Sequence, residues 1–171
     1  QKQDLRFSSD RVFLIHTRSG KKDLEISRGI SEQIGRLYFN AASSSTWDEW
    51  LNVSFVEYLR IIALKRHEVS AFYQEIQSKK LTSATLQPLW GFDVPEEISQ
   101  YQYDRNLVLM QSKGVLLLHY LSERIGESKF LALCRAMIDQ RIGTTEEFLH
   151  LLGQETDAAT AAWFKMMLKS A

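Results

Sequence analysis

The sequence predicts a mainly α-helical fold, in a single domain that spans residues 1–171. Apolar residues recur at the three- and four-residue spacing of amphipathic helices through most of the chain. Only two prolines and eight glycines occur in 171 residues, so helix breakers are few. Two threonine-led capping boxes, Thr46–Glu49 and Thr144–Glu147, mark helix starts. We therefore expect a helical part over residues 26–171, preceded by a short strand-bearing lead-in over residues 1–25.

The composition is ordinary for a globular protein and narrows the function little. Twenty-one basic residues balance 21 acidic residues, so nothing in the charge favours binding to nucleic acid or to an anionic membrane surface. The single cysteine, Cys134, excludes an intrachain disulfide and is expected to be a small buried residue. No apolar run approaches the ~20 residues that cross a bilayer. The cellular localisation stays open.

The lead-in contains the best strand candidate of the chain. Residues 11–17 read RVFLIHT, a short apolar run with the β-branched and aromatic residues that strands favour. Ser19 to Lys22 reads as a turn. Because a lone strand leaves its backbone groups unpaired, we expect a partner from residues 23–26, from the N-terminal residues or from another chain.

Two helices joined by a polar turn are predicted next. The first covers residues 26–39 and is expected to bury the face formed by Ile30, Ile34, Leu37 and Tyr38. Residues 40–45, NAASSS, break the periodicity. The second helix covers residues 46–67 and has a broad apolar face.

The remaining chain is expected to form further helices around one packed loop. We predict helical turns over 69–78 and helices over 104–125, over 128–140, from Thr144 to near Gly153, and over 157–170. Residues 79–103 contain both prolines, which forbid a continuous helix, and are expected to form a packed loop with a short helix over 96–101.

The stretch from Trp50 to Tyr58, WLNVSFVEY, resembles a motif of zinc aminopeptidases of the aminopeptidase N family, which are gluzincins. That family motif reads W-L-N-E-x-F-x-E-Y. Upstream, Glu32–Arg36 falls where the family carries H-E-x-x-H, and Gln111–Gly114 falls where it carries Y-x-K-G. The resemblance covers about residues 28–171. It implies a gluzincin or thermolysin-like helical subdomain, the C-terminal part of a catalytic domain, within a larger protein.

The resemblance also implies that the family's chemistry is lost. Glu32 and Arg36 stand where the family has its two zinc-binding histidines, and Val53 stands at the third ligand. Gln33 replaces the general-base glutamate, and Gln111 replaces the tyrosine that steadies the oxyanion. Valine offers no lone pair to zinc, and a glutamine amide cannot take a proton from water. We expect no zinc, no other cofactor and no catalysis by the family's mechanism.

Two interpretations of Glu32 and Arg36 are open. At a spacing of four residues, their side chains can form a surface ion pair. Alternatively, a buried Arg36 takes the place of the zinc charge, with Glu32 and Glu57 as counter-ions. On either interpretation the candidate cleft residues are Glu32, Arg36, Glu57, Gln111 and Lys113.

The functional hypothesis is a pseudopeptidase-like module that binds a peptide or a partner protein in the former cleft. The loop carrying Trp90 and Phe92 borders this cleft in the family, and we expect it to close the cleft rather than to shape it. One alternative is an active metallo-aminopeptidase-like hydrolase with relocated ligands, namely His16, His67 or His119. The other is a scaffold segment of a larger assembly that uses outer helix faces, for which Arg60→Glu would be a surface test.

Overall fold

The computed structural model describes residues 8–9, 12–13, 23–94, 97 and 99–170, and within them the protein is mainly α-helical, as expected. A 3-10 turn, Trp47–Glu49, precedes α2, and a π turn, Met110–Gly114, lies between α4 and α5. The helices are α1 (Asp23–Tyr38), α2 (Trp50–Lys65), α3 (Val69–Ser83), α4 (Gln100–Leu109), α5 (Val115–Ile125), α6 (Glu127–Asp139), α7 (Thr145–Glu155) and α8 (Ala158–Lys169).

The lead-in contributes one short antiparallel pairing among the described residues. Strand β1 (Ser8–Ser9) pairs with β2 (Val12–Phe13), so that Ser8 lies opposite Phe13. The rest of the strand predicted over residues 11–17, and the turn that follows it, lie outside the described residues.

Helix α2 is the central element of the domain. It packs against α1, α3 and α5. Its Trp50, Phe55 and Tyr58 are buried among aromatic rings, and Phe55 stacks on Phe130 from α6 with ring centroids 6.0 Å apart. Phe148 from α7 meets the Phe55 ring edge-on at 5.5 Å. Burial of such rings is the main source of stability in a core of this kind.

Where one helix was predicted over residues 104–125, the structure has α4, the π turn and α5. The Ser54 hydroxyl donates a hydrogen bond to the Met110 carbonyl, 2.7 Å away, at the start of the π turn. A Cβ added to Gly114 would overlap the Ser54 hydroxyl and lie 2.9 Å from the Ser54 Cβ. Gly114 is therefore required by the close approach of α2.

The face of α1 predicted to be buried is largely exposed, so that prediction was wrong. Ile30, Ile34 and Tyr38 are 39%, 41% and 56% exposed. Gly35 and Phe39 are buried instead. Gly35 allows the helices to approach closely, since an added Cβ would lie 3.0 Å from a methyl group of Val56. Periodicity revealed an apolar stripe, but it could not show which side meets α2.

Helix starts were predicted with mixed success. The Thr144–Glu147 capping box is formed, with Thr144 accepting a hydrogen bond from the Glu147 amide. The box predicted at Thr46–Glu49 is absent, because the Thr46 side chain makes no capping bond and its hydroxyl donates to the Ser43 carbonyl. A box that was not predicted, Ser99–Gln102, begins α4.

The loop after α3 is shorter than predicted and firmly attached. Leu89 and Phe92 are buried, and the Trp90 amide donates to the Leu168 carbonyl of α8 over 3.0 Å. From the other side, Lys113 donates to the Gln87 carbonyl, 3.1 Å away. In the described part of the chain, no helix combines the length and apolar character needed to span a membrane.

Candidate binding cleft

A cleft of about 480 Å3 lies between α1, α2, α4 and the π turn. Its lining combines charged, polar and apolar side chains, which come from both helices of the predicted α1–α2 pair and from the α4 region. The lining residues are Glu32, Arg36, Phe39, Asn40, Ala42, Ser44, Glu49, Asn52, Val53, Val56, Glu57, Tyr103, Leu107 and Gln111. The cleft therefore brings together segments that are far apart in the sequence.

Glu32 and Arg36 form a surface ion pair at the edge of this cleft. The Arg36 guanidinium donates to the Glu32 carboxylate over 3.1 Å, and the Arg36 side chain is 65% exposed. The interpretation of Arg36 as a buried replacement for a metal charge is therefore wrong. An exposed pair at this spacing contributes only about 0.3–0.5 kcal/mol.

Glu57 is committed to other partners. Its carboxylate accepts hydrogen bonds of 2.8 Å from Arg60 and from Lys79, while Arg60 also lies 3.7 Å from Glu75. Burial raises the pKa of Glu57, but the hydrogen bonds and charges of Arg60 and Lys79 outweigh burial and lower it to about 2. Glu57 thus lines the cleft as part of a network that joins α2 to α3, and not as a counter-ion of Arg36.

The other sequence-predicted positions divide into two groups. Val53 and Gln111 line the cleft, together with Glu32 and Arg36. Gln33 and Lys113 are not among the lining residues. Lys113 is buried, with its ammonium group on the carbonyls of Leu86 and Gln87, and burial lowers its pKa. Lys113 therefore fastens the loop after α3, and its prediction as a cleft residue was wrong.

The aromatic loop does not close the cleft, contrary to expectation. Neither Trp90 nor Phe92 is among the lining residues. The Trp90 ring lies 5.1 Å from the Trp47 ring, and the ammonium groups of Lys165 and Lys169 lie 4.9 and 4.5 Å from its centre. These contacts attach the loop to α8 and leave the cleft open.

Glu49 is a charged cleft residue that sequence reasoning missed. It is half-buried, and within the described chain its carboxylate has no hydrogen-bonding or ionic partner. Burial raises the pKa of its carboxyl group. In the sequence Glu49 was explained as a member of the Thr46 capping box, so its position in the motif concealed its place in the cleft.

Two of the three histidines considered as relocated metal ligands lie among the described residues, and they do not converge. His67 is exposed beyond the end of α2. His119 is half-buried, with Nδ1 at 3.3 Å from the Tyr58 hydroxyl, and burial lowers its pKa. His16 lies outside the described residues. No group of three metal-binding side chains occurs in the described part of the chain.

Comparisons with known proteins gave no match to a family model, to a curated protein or to a solved structure.

Proposed function

We propose that this chain is a gluzincin-like helical domain that has lost its zinc site, and that its cleft binds a peptide or an extended segment of a partner protein. The proposal joins the motif resemblance to the cleft geometry. The role is that of a binding module rather than a hydrolase.

The observation that carries the proposal is the convergence of the degenerate motif positions. Glu32 and Arg36 come from α1, Val53 from α2 and Gln111 from the π turn, yet all of them line one cleft. In gluzincins the corresponding positions surround the substrate and the metal. A π turn at such a place supports the proposal, because π turns occur frequently at functional sites.

The side chains of the cleft favour binding over catalysis. The carboxylate of Glu32 is engaged by Arg36, and that of Glu57 is engaged by Arg60 and Lys79. Val53 has no group that could hold a metal or move a proton. The lining therefore offers ionic, amide and apolar surface for a ligand, but no general base paired with an activated nucleophile.

An extended peptide matches the mixed lining of this cleft. Asn40, Ser44 and Gln111 supply hydrogen-bonding groups for peptide backbone, while Val56 and Leu107 supply apolar surface. Polar groups of this kind orient a bound ligand, while apolar surface buries part of it.

The test is a peptide-library binding screen on the wild-type protein and on a cleft-filling variant. Val53→Trp fills the cleft from α2 and should abolish peptide binding. Val69→Trp is the matched control, because Val69 is 54% exposed at the start of α3, outside the cleft. A screen without any bound peptide, or binding that survives in Val53→Trp, would contradict the proposal.

Metal analysis addresses the hydrolase alternative directly. Plasma emission spectrometry on protein purified without added metal, beside an aminopeptidase assay with added zinc, should show neither bound zinc nor turnover. About one zinc per chain would instead favour relocated ligands, and His16, His67 and His119 would be mutated first.

One observation favours the alternative of a scaffold segment. The stripe of Ile30, Ile34 and Tyr38 on α1 is exposed, although it has the periodicity of a face that contacts another element. Ile34→Asp should abolish partner binding on this alternative, while Val53→Trp should not affect it. Arg60→Glu is unsuitable as a surface test, because the Arg60 side chain is only 13% exposed in the network with Glu57.

A further inference from the structure

The charges that line the cleft leave one carboxylate uncompensated. Glu32 is paired with Arg36, and Glu57 belongs to a network that contains Arg60, Lys79 and Glu75. The carboxylate of Glu49 has no such partner in the described chain, so it is the cleft carboxylate that no neighbouring cation there compensates.

The cleft also has apolar surface, contributed by both α2 and α4. Val53 and Val56 come from α2, and Leu107 comes from α4. The ring of Tyr103, also on α4, is 41% exposed and lines the same cleft. An aromatic ring attracts a cation to its face. Aliphatic stems of lysine and arginine pack on apolar surface while their charged ends remain solvated or paired.

We propose that the cleft binds the cationic side chain of a peptide, lysine or arginine, with its aliphatic stem on Val53, Val56 and Leu107 and its charged end at Glu49. The inference rests on the proposed function, since it names the chemistry of the peptide that this cleft takes. A cation at Glu49 supplies a counter-charge for its carboxylate, which has no partner in the described chain.

The environment of Glu49 agrees with this assignment. Burial without a cationic neighbour disfavours the charged carboxylate, and this is why its pKa is raised. A bound ammonium or guanidinium group reverses that effect by favouring the charged form. A hydrogen bond between charged groups in a half-buried site is stronger than one between neutral groups.

The experiment is an NMR titration of the full chain with blocked tripeptides that differ only at the central residue. Acetyl-Ala-Xaa-Ala-amide would carry lysine, arginine, norleucine or citrulline as Xaa. Norleucine keeps an aliphatic stem without charge, and citrulline has nearly the shape of arginine without its charge. We expect the lysine and arginine peptides to shift the amide signals of Glu49, Val53 and Leu107, and to bind at least about tenfold more tightly than the neutral peptides.

Two variants test whether the Glu49 carboxylate causes the preference for charged peptides. Glu49→Gln should remove the preference for charged peptides, and Glu155→Gln, the same change at an exposed position on α7, should retain it. Because the Glu49 carboxylate makes no bond within the described chain, its variant should keep the wild-type spectrum away from the cleft. The spectrum of each free variant checks that it is folded.

The outcomes separate the inference from the function on which it rests. Equal binding of the lysine and norleucine peptides, or a charge preference that persists in Glu49→Gln, would overturn the inference while the binding function stands. Equally tight binding of an unblocked Ala-Ala-amide, whose cation has no aliphatic stem, would overturn it as well. Failure of every peptide to bind would overturn both.

Discussion

The two faces of α2 differ in what their side chains contact. On the inner face, Trp50 donates to Thr145 over 2.8 Å, Ser54 donates to the Met110 carbonyl, and the Tyr58 hydroxyl lies 3.3 Å from His119. On the cleft face, Val53 is only half-buried, and the carboxylate of Glu49, in the 3-10 turn just before α2, has no partner in the described chain.

This difference agrees with the proposal that WLNVSFVEY is an altered family motif, since it matches the family pattern W-L-N-E-x-F-x-E-Y everywhere except at Val53, which lines the cleft. A residue on the inner face contacts several elements, so its replacement creates a cavity or leaves a buried polar group without a partner. A half-buried apolar residue that lines the cleft, such as Val53, can be replaced at less cost to the fold. A substitution at Val53 is therefore compatible with this helical fold.

The largest expected effect is the difference in stability between two variants, Phe55→Ala on the inner face and Val53→Ala on the cleft face. Phe55→Ala removes a ring that is fully buried between Phe39 and Phe130, and should lower the free energy of unfolding by about 3–5 kcal/mol. Val53→Ala, on the cleft face, should lower it by less than about 1 kcal/mol. Urea unfolding measures both values. Similar losses for the two variants would show that the faces do not differ.

An intermediate effect is expected from acid, through Glu57. Its folded pKa of about 2 lies below the ordinary value of 4.5, so its contribution to stability is present above pH 4.5 and is lost as the pH falls towards 2. At about 1.4 kcal/mol for each unit, the loss amounts to about 3 kcal/mol.

The measurement for Glu57 is urea unfolding across that pH range, for the wild type and for Glu57→Gln. The variant should be less stable at neutral pH, because Arg60 and Lys79 lose their shared anion, and it should lose less further stability in acid. Other carboxyl groups titrate in both proteins, so the difference between the two curves isolates Glu57. If the free energies of unfolding of the two proteins changed in parallel with pH, the low pKa assigned to Glu57 would be contradicted.

An effect smaller than those of Phe55→Ala and of acid is expected at the contact between α2 and the π turn. Gly114→Ala places a methyl group against Ser54 and should lower the free energy of unfolding by about 1–3 kcal/mol. Adding Ser54→Gly should restore part of this loss by removing the side chain that is overlapped. If Gly114→Ala were as stable as wild type, the two helices would not be held at this distance. Thermal unfolding of the single and double variants decides the point.

The fold was predictable where a signal is local. The helix that starts at Thr144 follows from a capping box whose two bonds join residues three apart. The outward face of α1 was not predictable, because the periodicity of Ile30 and Ile34 marks a stripe without identifying the element that covers it. Gly35 held the better signal, since a glycine inside a helix can mark a close approach of another helix.

The cleft was predictable only as far as the motif resemblance reached. The resemblance predicted that Glu32, Arg36, Val53 and Gln111 lie at one cleft, and all four residues line the cleft described above. It could not show that Lys113 turns towards the loop carbonyls, because the direction of that side chain depends on the π turn. The place of Glu49 in the cleft was not predicted, because the sequence assigned its side chain to a Thr46 capping box that does not form.

The π turn also changes the directions in which side chains point at the two ends of the continuous helical stretch over residues 100–125. Each residue of an α-helix advances the side chains by about 100°, so a single wide turn shifts every later position by a fraction of a turn relative to the earlier ones. Tyr103 and Leu107 can thus face the cleft while Leu117 and Leu121 face the core, without one continuous stripe joining them. In an uninterrupted α-helix, positions 14 residues apart such as Tyr103 and Leu117 would lie within about 40° of one another, and either the cleft or the core would then lose its side chains.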